Sequence, residues 1–406
     1  MRVLFVNRFF HPDHSATSQM LTDLANDLCA AGVEVSVITG RQLIDDRDAV
    51  LPRRERAGGV DVHRVWSTRF GRRSLAGRAL DYLSFYLSAG WRLMRICRPG
   101  DVVVAKTDPP LISVVAGWVA RRRDAGLVNW LHDLFPEIAE RVGVPMLRGP
   151  VYRALKGMRD RSLRRARCNV AIGTRMAERV KALGIAPERV RIIHNWSDGG
   201  EIRPLARSAN ALRATWKLGD RFVVGYSGNM GYVHEFDTIL DAAERLRQRA
   251  DIVFLFVGDG VRRAGIEQEV ARRRLDNVAF EPYQPRARLG ESLTASDVHL
   301  VSLRAELEGL VVPSKFYAVA AAGRPVLFVG ALDGEIARLI AEAGCGATVP
   351  AGADEALAGH VVALAEQPWR REAEGAAARR LFEARFDRRL AFEDWRRTLE
   401  AAAGGG

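Results

Sequence analysis

FVVGYSGNMGYVHEFDTILDAAERLR, from Phe222 to Arg247, reads as a β-strand, a glycine-rich turn and a helix. Phe222–Ser227 is an apolar run of strand length, and Glu235–Arg247 carries apolar residues at helical spacing. The glycines of Gly225-Tyr226-Ser227-Gly228-Asn229-Met230-Gly231 let backbone N–H groups approach a ligand. A helix follows whose dipole favours negative charge. The loop is neither a Walker loop nor a GxGxxG fingerprint, and the same residues also suit a plain tight turn.

The rhythm continues in both directions. Downstream, strands are expected at Ile252–Val257, Val278–Glu281, Val298–Ser302 and Val326–Val329. Helices alternate with them at Val261–Arg274, Pro285–Ala295, Ser314–Ala322, Gly334–Ala343 and Ala353–Gln367, and Arg370–Ala402 reads as one or two charged amphipathic helices. Upstream, the strands are Val3–Asn7, Val33–Thr39, Asp61–Trp66, Asp101–Ala105, Leu127–His132, Asn169–Ile172 and Val190–His194. Their helices include Thr17–Ala31, Ser74–Arg95, Leu111–Arg123, Val151–Arg165 and Thr174–Leu183. Such alternation predicts α/β units with parallel sheets, and 406 residues exceed one ordinary core. Polar Trp196–Asp220 reads as a connection. The expected organisation is two Rossmann-like doubly wound domains, 1–200 and 201–384, with a C-terminal helix and disordered tail over 385–406. Ligands bind past the carboxyl ends of such strands, so a cleft between facing domains is the expected active site.

Composition narrows the function classes. Apolar residues make up 48% and charged residues 27%, as in soluble globular proteins. Cys29, Cys97, Cys168 and Cys345 lie far apart and form no disulfide framework, which points to a reducing, cytoplasmic setting. The start shows no signal-peptide pattern, and no apolar run reaches membrane-spanning length. The formal charge of +12 is uneven: residues 1–200 hold 33 Lys+Arg against 20 Asp+Glu, and the remainder is nearly balanced. That surplus is either a solvated surface or a face for something anionic, such as a membrane leaflet, a lipid phosphate or a nucleic acid.

Four strand ends in the second half carry ligand-type residues: the Gly228-Asn229-Met230-Gly231 loop with His234 beyond it, Gly258-Asp259-Gly260, Pro282-Tyr283 and Pro313-Ser314-Lys315. Each is ordinary turn chemistry alone. Together they suit a nucleoside diphosphate, with an aromatic for the base, glycines for close approach and a cation for the phosphates. In the first half, His11-Pro12-Asp13-His14-Ser15-Ala16-Thr17-Ser18 leads into a helix that Ser15, Thr17 or Ser18 can cap. Two histidines and one aspartate there make a poor metal site, and no metal is expected. His132-Asp133-Leu134-Phe135-Pro136-Glu137 stands at another strand end, where His132 or Asp133 can sit beside a hydroxyl. His132 is equally readable as a packed strand residue and Asp133 as a cap.

Taken in order, these pieces resemble glycosyltransferase family 4, the retaining group with the GT-B fold. The likeness is greatest to bacterial enzymes of the colanic acid and fucosamine transferase type, which add sugars to lipid-linked polysaccharide precursors. The matching stretches are Asn7–Gln19, Thr107-Asp108-Pro109-Pro110, His132–Glu137, Asn195-Trp196-Ser197-Asp198, Ser227–Gly231, Val257-Gly258-Asp259-Gly260 and Val312–Pro325. The resemblance implies a nucleotide-sugar donor on the C-terminal domain and a saccharide or lipid-linked acceptor on the N-terminal one. It also implies retained anomeric configuration, no metal or other cofactor, and C-terminal helices crossing back to the first domain. The donor set it implies is Gly228, Asn229, Gly231, His234, Gly258, Asp259, Tyr283, Glu306, Glu308, Pro313, Ser314 and Lys315. His14, Ser15, Thr17 and Glu137 are implied for the acceptor, and His132, Asp133 and Lys315 for the chemistry.

Two departures stand out. Where many family members carry an Arg and a Lys five positions apart, this chain has Asn229 and His234. Of two glutamates usually spaced eight apart, the second falls at Ala318, and the first falls near Leu310, with Glu306 and Glu308 close by. Lys315 is then the expected counter-charge for the donor diphosphate. Ser74–Arg95, with Leu75, Leu80, Leu83, Phe85, Leu87, Trp91 and Leu93 among basic residues, suits either an anionic membrane surface or a covered core position. The competing readings are a nucleotide-sugar epimerase of the same fold and a basic nucleic-acid-binding protein. The latter lacks a recognisable nucleic-acid module, so no specific nucleic acid is expected.

Overall fold

The computed structural model describes residues 1–406 except 45, 47, 72, 73, 145–148, 405 and 406. The chain divides into two compact units, Met1–Ile193 with Phe392–Gly406, and His194–Ala391. The first holds an eight-stranded sheet: β1 (Arg2–Val6), β2 (Glu34–Gly40), β3 (Arg54–Ala57), β4 (Val60–Val65), β5 (Val102–Ala105), β6 (Gly126–Leu131), β7 (Cys168–Ala171) and β8 (Val190–Ile192). The spatial order is β3-β4-β2-β1-β5-β6-β7-β8. Every pairing is parallel except β3 with β4. All of β5 and β6 is buried, as expected for central parallel strands covered on both faces. The strand order reverses between β1 and β5, which sets a ligand crevice at their carboxyl ends.

The edge strand β3 escaped the sequence reading because Arg54-Glu55-Arg56-Ala57 is charged and half exposed. Its signal lay in the next two residues. Gly58 and Gly59 have φ of 59° and 90°, and Ala57 pairs with Val60 across them, as a two-residue hairpin requires.

The C-terminal helix Arg388–Gly404 belongs mostly to this unit. Trp395 is fully buried with its ring 4.6 Å from that of Trp130 on β6. The expected disordered tail begins too early: Ala401–Gly404 is helical, anchored by buried Leu399 and Ala402 and by Arg167 donating to the Ala402 carbonyl. The last two residues of that tail lie outside the described residues.

The second unit holds six parallel strands: β9 (Phe222–Ser227), β10 (Ile252–Val257), β11 (Val278–Glu281), β12 (Val298–Ser302), β13 (Val326–Val329) and β14 (Gly346–Val349). Their order, β11-β10-β9-β12-β13-β14, reverses between β9 and β12. Tyr226, Phe236, Ile239, Phe254 and Phe256 lie in its core. Strand β14 was not foreseen, because Gly-Ala-Thr-Val lacks a strong apolar run. Gly346 is required there, since its φ is 151° and a Cβ would stand 1.8 Å from the Val326 carbonyl oxygen. The connection Trp196–Asp220 is less irregular than expected: it contains the helix Ala211–Thr215, capped by the Asn210 side chain accepting from Leu212 N–H at 3.0 Å.

Candidate active site

In the second unit the loop after β9 is locked onto the loop after β10. Gly228 N–H donates to the Val257 carbonyl at 2.9 Å, and Met230 N–H to the Asp259 carbonyl at 2.8 Å. Gly258, at φ 134°, allows this, because a Cβ would meet the Gly228 carbonyl oxygen at 2.3 Å. These bonds use two of the loop amides expected to face a phosphate. They leave Asn229 and Gly231 N–H without an acceptor among the described residues.

Lys315 opens the seven-residue helix Lys315–Ala321, two residues shorter than the sequence pattern suggested. Its Nζ donates to Tyr226 Oη and lies 3.7 Å from that ring's centroid. It is also 3.4 Å from His234 Nε2. Tyr226 Oη in turn donates to the Asn229 carbonyl at 3.0 Å. His234 Nδ1 is 2.6 Å from the Ser302 carbonyl, which fixes the proton on Nδ1 and leaves Nε2 as an acceptor toward Lys315. Burial pushes the Lys315 ammonium well below the usual lysine value. Burial, and then Lys315 itself, lower His234 to about 3, so the imidazole is neutral at ordinary pH. Among the described residues no carboxylate forms an ion pair with Lys315. The result is a partly exposed amino group held by two neutral groups, whose protonated form has donor capacity to spare and is favoured when an anion comes beside it.

The structure thus gathers Gly228, His234 and Lys315, and adds Tyr226, whose place in a strand gave no sign of a polar role. Both glutamates have partners. Glu306 is paired with Arg304 at 2.5 Å, and Glu308 accepts from Glu335 N–H at 2.9 Å at the start of the helix Glu335–Ala343. Asp259 accepts from Gly260 N–H at 2.7 Å, and Tyr283 is exposed after β11. Pro313 is buried and Ser314 exposed immediately before Lys315.

In the first unit a second cluster stands past β5 and β6. Lys106 is buried, with Nζ donating to the Thr17 carbonyl at 2.8 Å and lying 3.7 Å from the Trp130 ring centroid. The Trp130 and His132 rings are 5.1 Å apart. Burial and then Lys106 hold His132 well below its ordinary value, and its Nε2 has no hydrogen-bond partner among the described residues. Burial, helped by Asp108, pushes Asp133 up to about 7. A cavity of about 20 Å³, room for about one water, is lined by Lys106, Asn129, Asp133 and Arg159. Glu137 is tied to Arg159 at 2.5 Å. Ser15 stands at the helix N-cap without a side-chain cap bond; its N–H and Oγ both donate to Asp13, at 2.9 and 2.5 Å. His14 offers its carbonyl to Gln19 at 2.7 Å. Lys106 and Arg159 were missed by sequence reasoning, although a lysine directly after an all-apolar strand was a visible signal for the first. Among the described residues no group of three His, Cys, Asp or Glu side chains is placed to hold a metal.

Residues 16–196 match the Glycosyl transferase 4-like domain, and residues 221–367 match Glycosyl transferases group 1. The chain is 30% identical over 287 residues to a protein of Pseudomonas aeruginosa named as glycosyltransferase WbjE, covering 70% of each chain. It is 27% identical over 337 residues to WcaI of Escherichia coli (strain K12), named as a colanic acid biosynthesis glycosyl transferase, covering 80% of this chain and 82% of that one. The crystal structure of Anabaena Alr3699/HepE in complex with UDP-glucose superposes with a TM-score of 0.73, at 17% identity over 99% of this chain and 100% of that one. That likeness shows the shared fold of two Rossmann-like domains.

Proposed function

The chain belongs to the family 4-like, group 1 glycosyltransferases, and on that footing we propose that it moves a sugar from a nucleoside diphosphate donor to a lipid-linked saccharide, with retained configuration. The setting is surface polysaccharide synthesis at the inner face of the cytoplasmic membrane. The observation that carries the donor half is Lys315, a partly exposed ammonium held only by Tyr226 and His234. A diphosphate supplies the counter-charge that the protein withholds. Asn229 and Gly231 N–H add donors beside it. As the bond from the anomeric carbon to the diphosphate oxygen breaks, negative charge grows on the leaving group, and a preorganised cation stabilises it. The acceptor oxygen bonds to the anomeric carbon on the same face, and its proton passes to the departing diphosphate. The cluster around His132 and Asp133 orients the acceptor. The UDP-glucose complex of HepE supports a nucleotide-sugar donor, and the name of WcaI supports a polysaccharide setting.

A thermal-shift screen of UDP-, GDP-, ADP- and TDP-sugars tests the reading. A ligand at a hundredfold excess over Kd raises stability by about 2.7 kcal/mol. No shift with any donor contradicts it. Incubation with the bound donor alone separates transfer from epimerisation, since an epimerase converts the sugar without any acceptor.

A further inference from the structure

The apolar residues of the helix Leu75–Ile96 divide between a buried face and an exposed one. Gly77, Asp81, Phe85, Ala89 and Leu93 are buried against the sheet. On the opposite side Leu80, Leu83, Leu87 and Trp91 form one stripe, with Leu87 68% and Trp91 63% exposed. Phe85 and Leu93 therefore take no part in the outer face. A covered core helix would not carry a second apolar stripe turned to water, and contiguous exposed apolar surface of this kind marks an interaction face.

The stripe does not stand alone. The helix Ile112–Arg122 packs beside it, with Gly90 close against Val115, and the helix Gly149–Arg165 packs on the far side of Ile112–Arg122. Their outward faces show Trp118, Arg121 and Arg122, then Met158, Arg161 and Arg165. Two of the exposed tryptophans carry a stacked arginine: Arg95 lies 4.5 Å from the Trp91 ring centroid and Arg122 lies 4.4 Å from that of Trp118. No ion pair among the described residues engages Arg121, Arg122, Arg161 or Arg165. The guanidinium of Arg165 is held below its ordinary value by its neighbours, Arg121 foremost, so like charges crowd where no acid relieves them. Leucines that can enter the acyl boundary, tryptophans at headgroup depth and arginines that reach phosphates complement an anionic bilayer surface.

We propose that the outer faces of the helices Leu75–Ile96, Ile112–Arg122 and Gly149–Arg165 together form a docking surface for an anionic lipid leaflet. The proposal rests on the lipid-linked acceptor reading and adds to it the part of the molecule that meets the membrane. Docking is reversible, through one side of a three-helix layer, because no helix among the described residues is long and apolar enough to cross a bilayer.

Co-sedimentation of the full chain with phosphatidylcholine vesicles, with and without phosphatidylglycerol, tests it in the absence of donor and acceptor. The expected result is at least about 10-fold stronger partitioning to the anionic vesicles, weakened as salt rises from about 0.1 M to about 0.5 M. The double variant Leu87→Ser/Trp91→Ser should lose about 10-fold of that partitioning, and so should Arg161→Ala/Arg165→Ala. All four substitutions are at exposed positions, and unchanged thermal melts confirm that the variants are folded. Equal binding to both vesicle types, or full binding by both variants, overturns the proposal. So does a dimer in solution that the Leu87→Ser/Trp91→Ser change dissolves, which would assign the face to a second copy. Nucleoside diphosphate release in detergent reads the transfer chemistry separately, so an unsubstituted chain that releases the diphosphate yet does not prefer anionic vesicles sinks only the membrane surface.

Discussion

Each unit of the molecule carries one lysine whose Nζ lies 3.7 Å from an aromatic centroid: Lys106 over Trp130, and Lys315 over Tyr226. Both stand near the place where their sheet's strand order reverses. The resemblance ends at the remaining partners. Lys106 is 1% exposed and spends a donor on the Thr17 carbonyl, which ties β5 to the start of the helix Ala16–Ala30. Lys315 is partly open and is bound by a phenol and an imidazole. The same side chain over the same kind of ring is therefore closed packing in one unit and, on the function proposed above, an open anion receptor in the other. What separates them is solvent access.

The comparison breaks most readily at the support beneath Lys106. Trp395 covers Trp130, so Trp395→Ala should destabilise the first unit by about 3–5 kcal/mol, read by chemical denaturation. Donor affinity in the second unit should not change. A comparable loss of donor binding would mean the two lysine sites are not independent.

Asp133 offers a pH test of the same cluster. Its folded value of about 7 lies above the ordinary 3.8, so the folded protein keeps a proton that the unfolded chain has lost. Stability then falls as pH rises from about 4 to about 7, by a few kcal/mol at most. Asp133→Asn should flatten that slope and gain on the wild type toward neutral pH in thermal melts. An unchanged slope would place the carboxyl in a wetter setting than its lining implies.

The lysines can then be exchanged for methionine in parallel. Lys106→Met removes one hydrogen bond to the Thr17 carbonyl, which keeps its place in the helix Ala16–Ala30, and should cost about 0.5–1.5 kcal/mol, while donor affinity stays within error. Lys315→Met removes a cation that no carboxylate balances and should melt at or above the wild type, yet bind donor poorly. The reverse pattern would exchange the two roles. The smallest effect is expected at His234. His234→Ala should raise the donor KM about 10-fold, from the loss of roughly one hydrogen bond, and His234→Gln, which keeps an acceptor toward Lys315, should restore most of it.

Much of this architecture was legible in the sequence. β10, Ile-Val-Phe-Leu-Phe-Val, is wholly buried and could hardly be anything but a central parallel strand. Strands β3 and β14 were hidden for opposite reasons: one is charged because it is an edge, and the other is small because Gly346 must pass the Val326 carbonyl. At the site, Lys315 and His234 were visible as departures from a familiar pattern. Tyr226 was not, because only the folded chain shows that its hydroxyl ends against Lys315. Lys106 had a signal in its place directly after an apolar strand, but only the fold shows that it turns inward over Trp130. Glu306 and Glu308 were named from their nearness in sequence, and the fold adds that their carboxylates reach Arg304 and the Glu335 amide.

The most direct measurement is the turnover of Lys315→Ala, followed as nucleoside diphosphate released from the donor that the wild type binds. If the ammonium stabilises the leaving diphosphate, turnover falls by at least about 10²-fold while the fold stays intact. Turnover within a few-fold of the wild type would contradict the assignment of this lysine as the phosphate counter-charge.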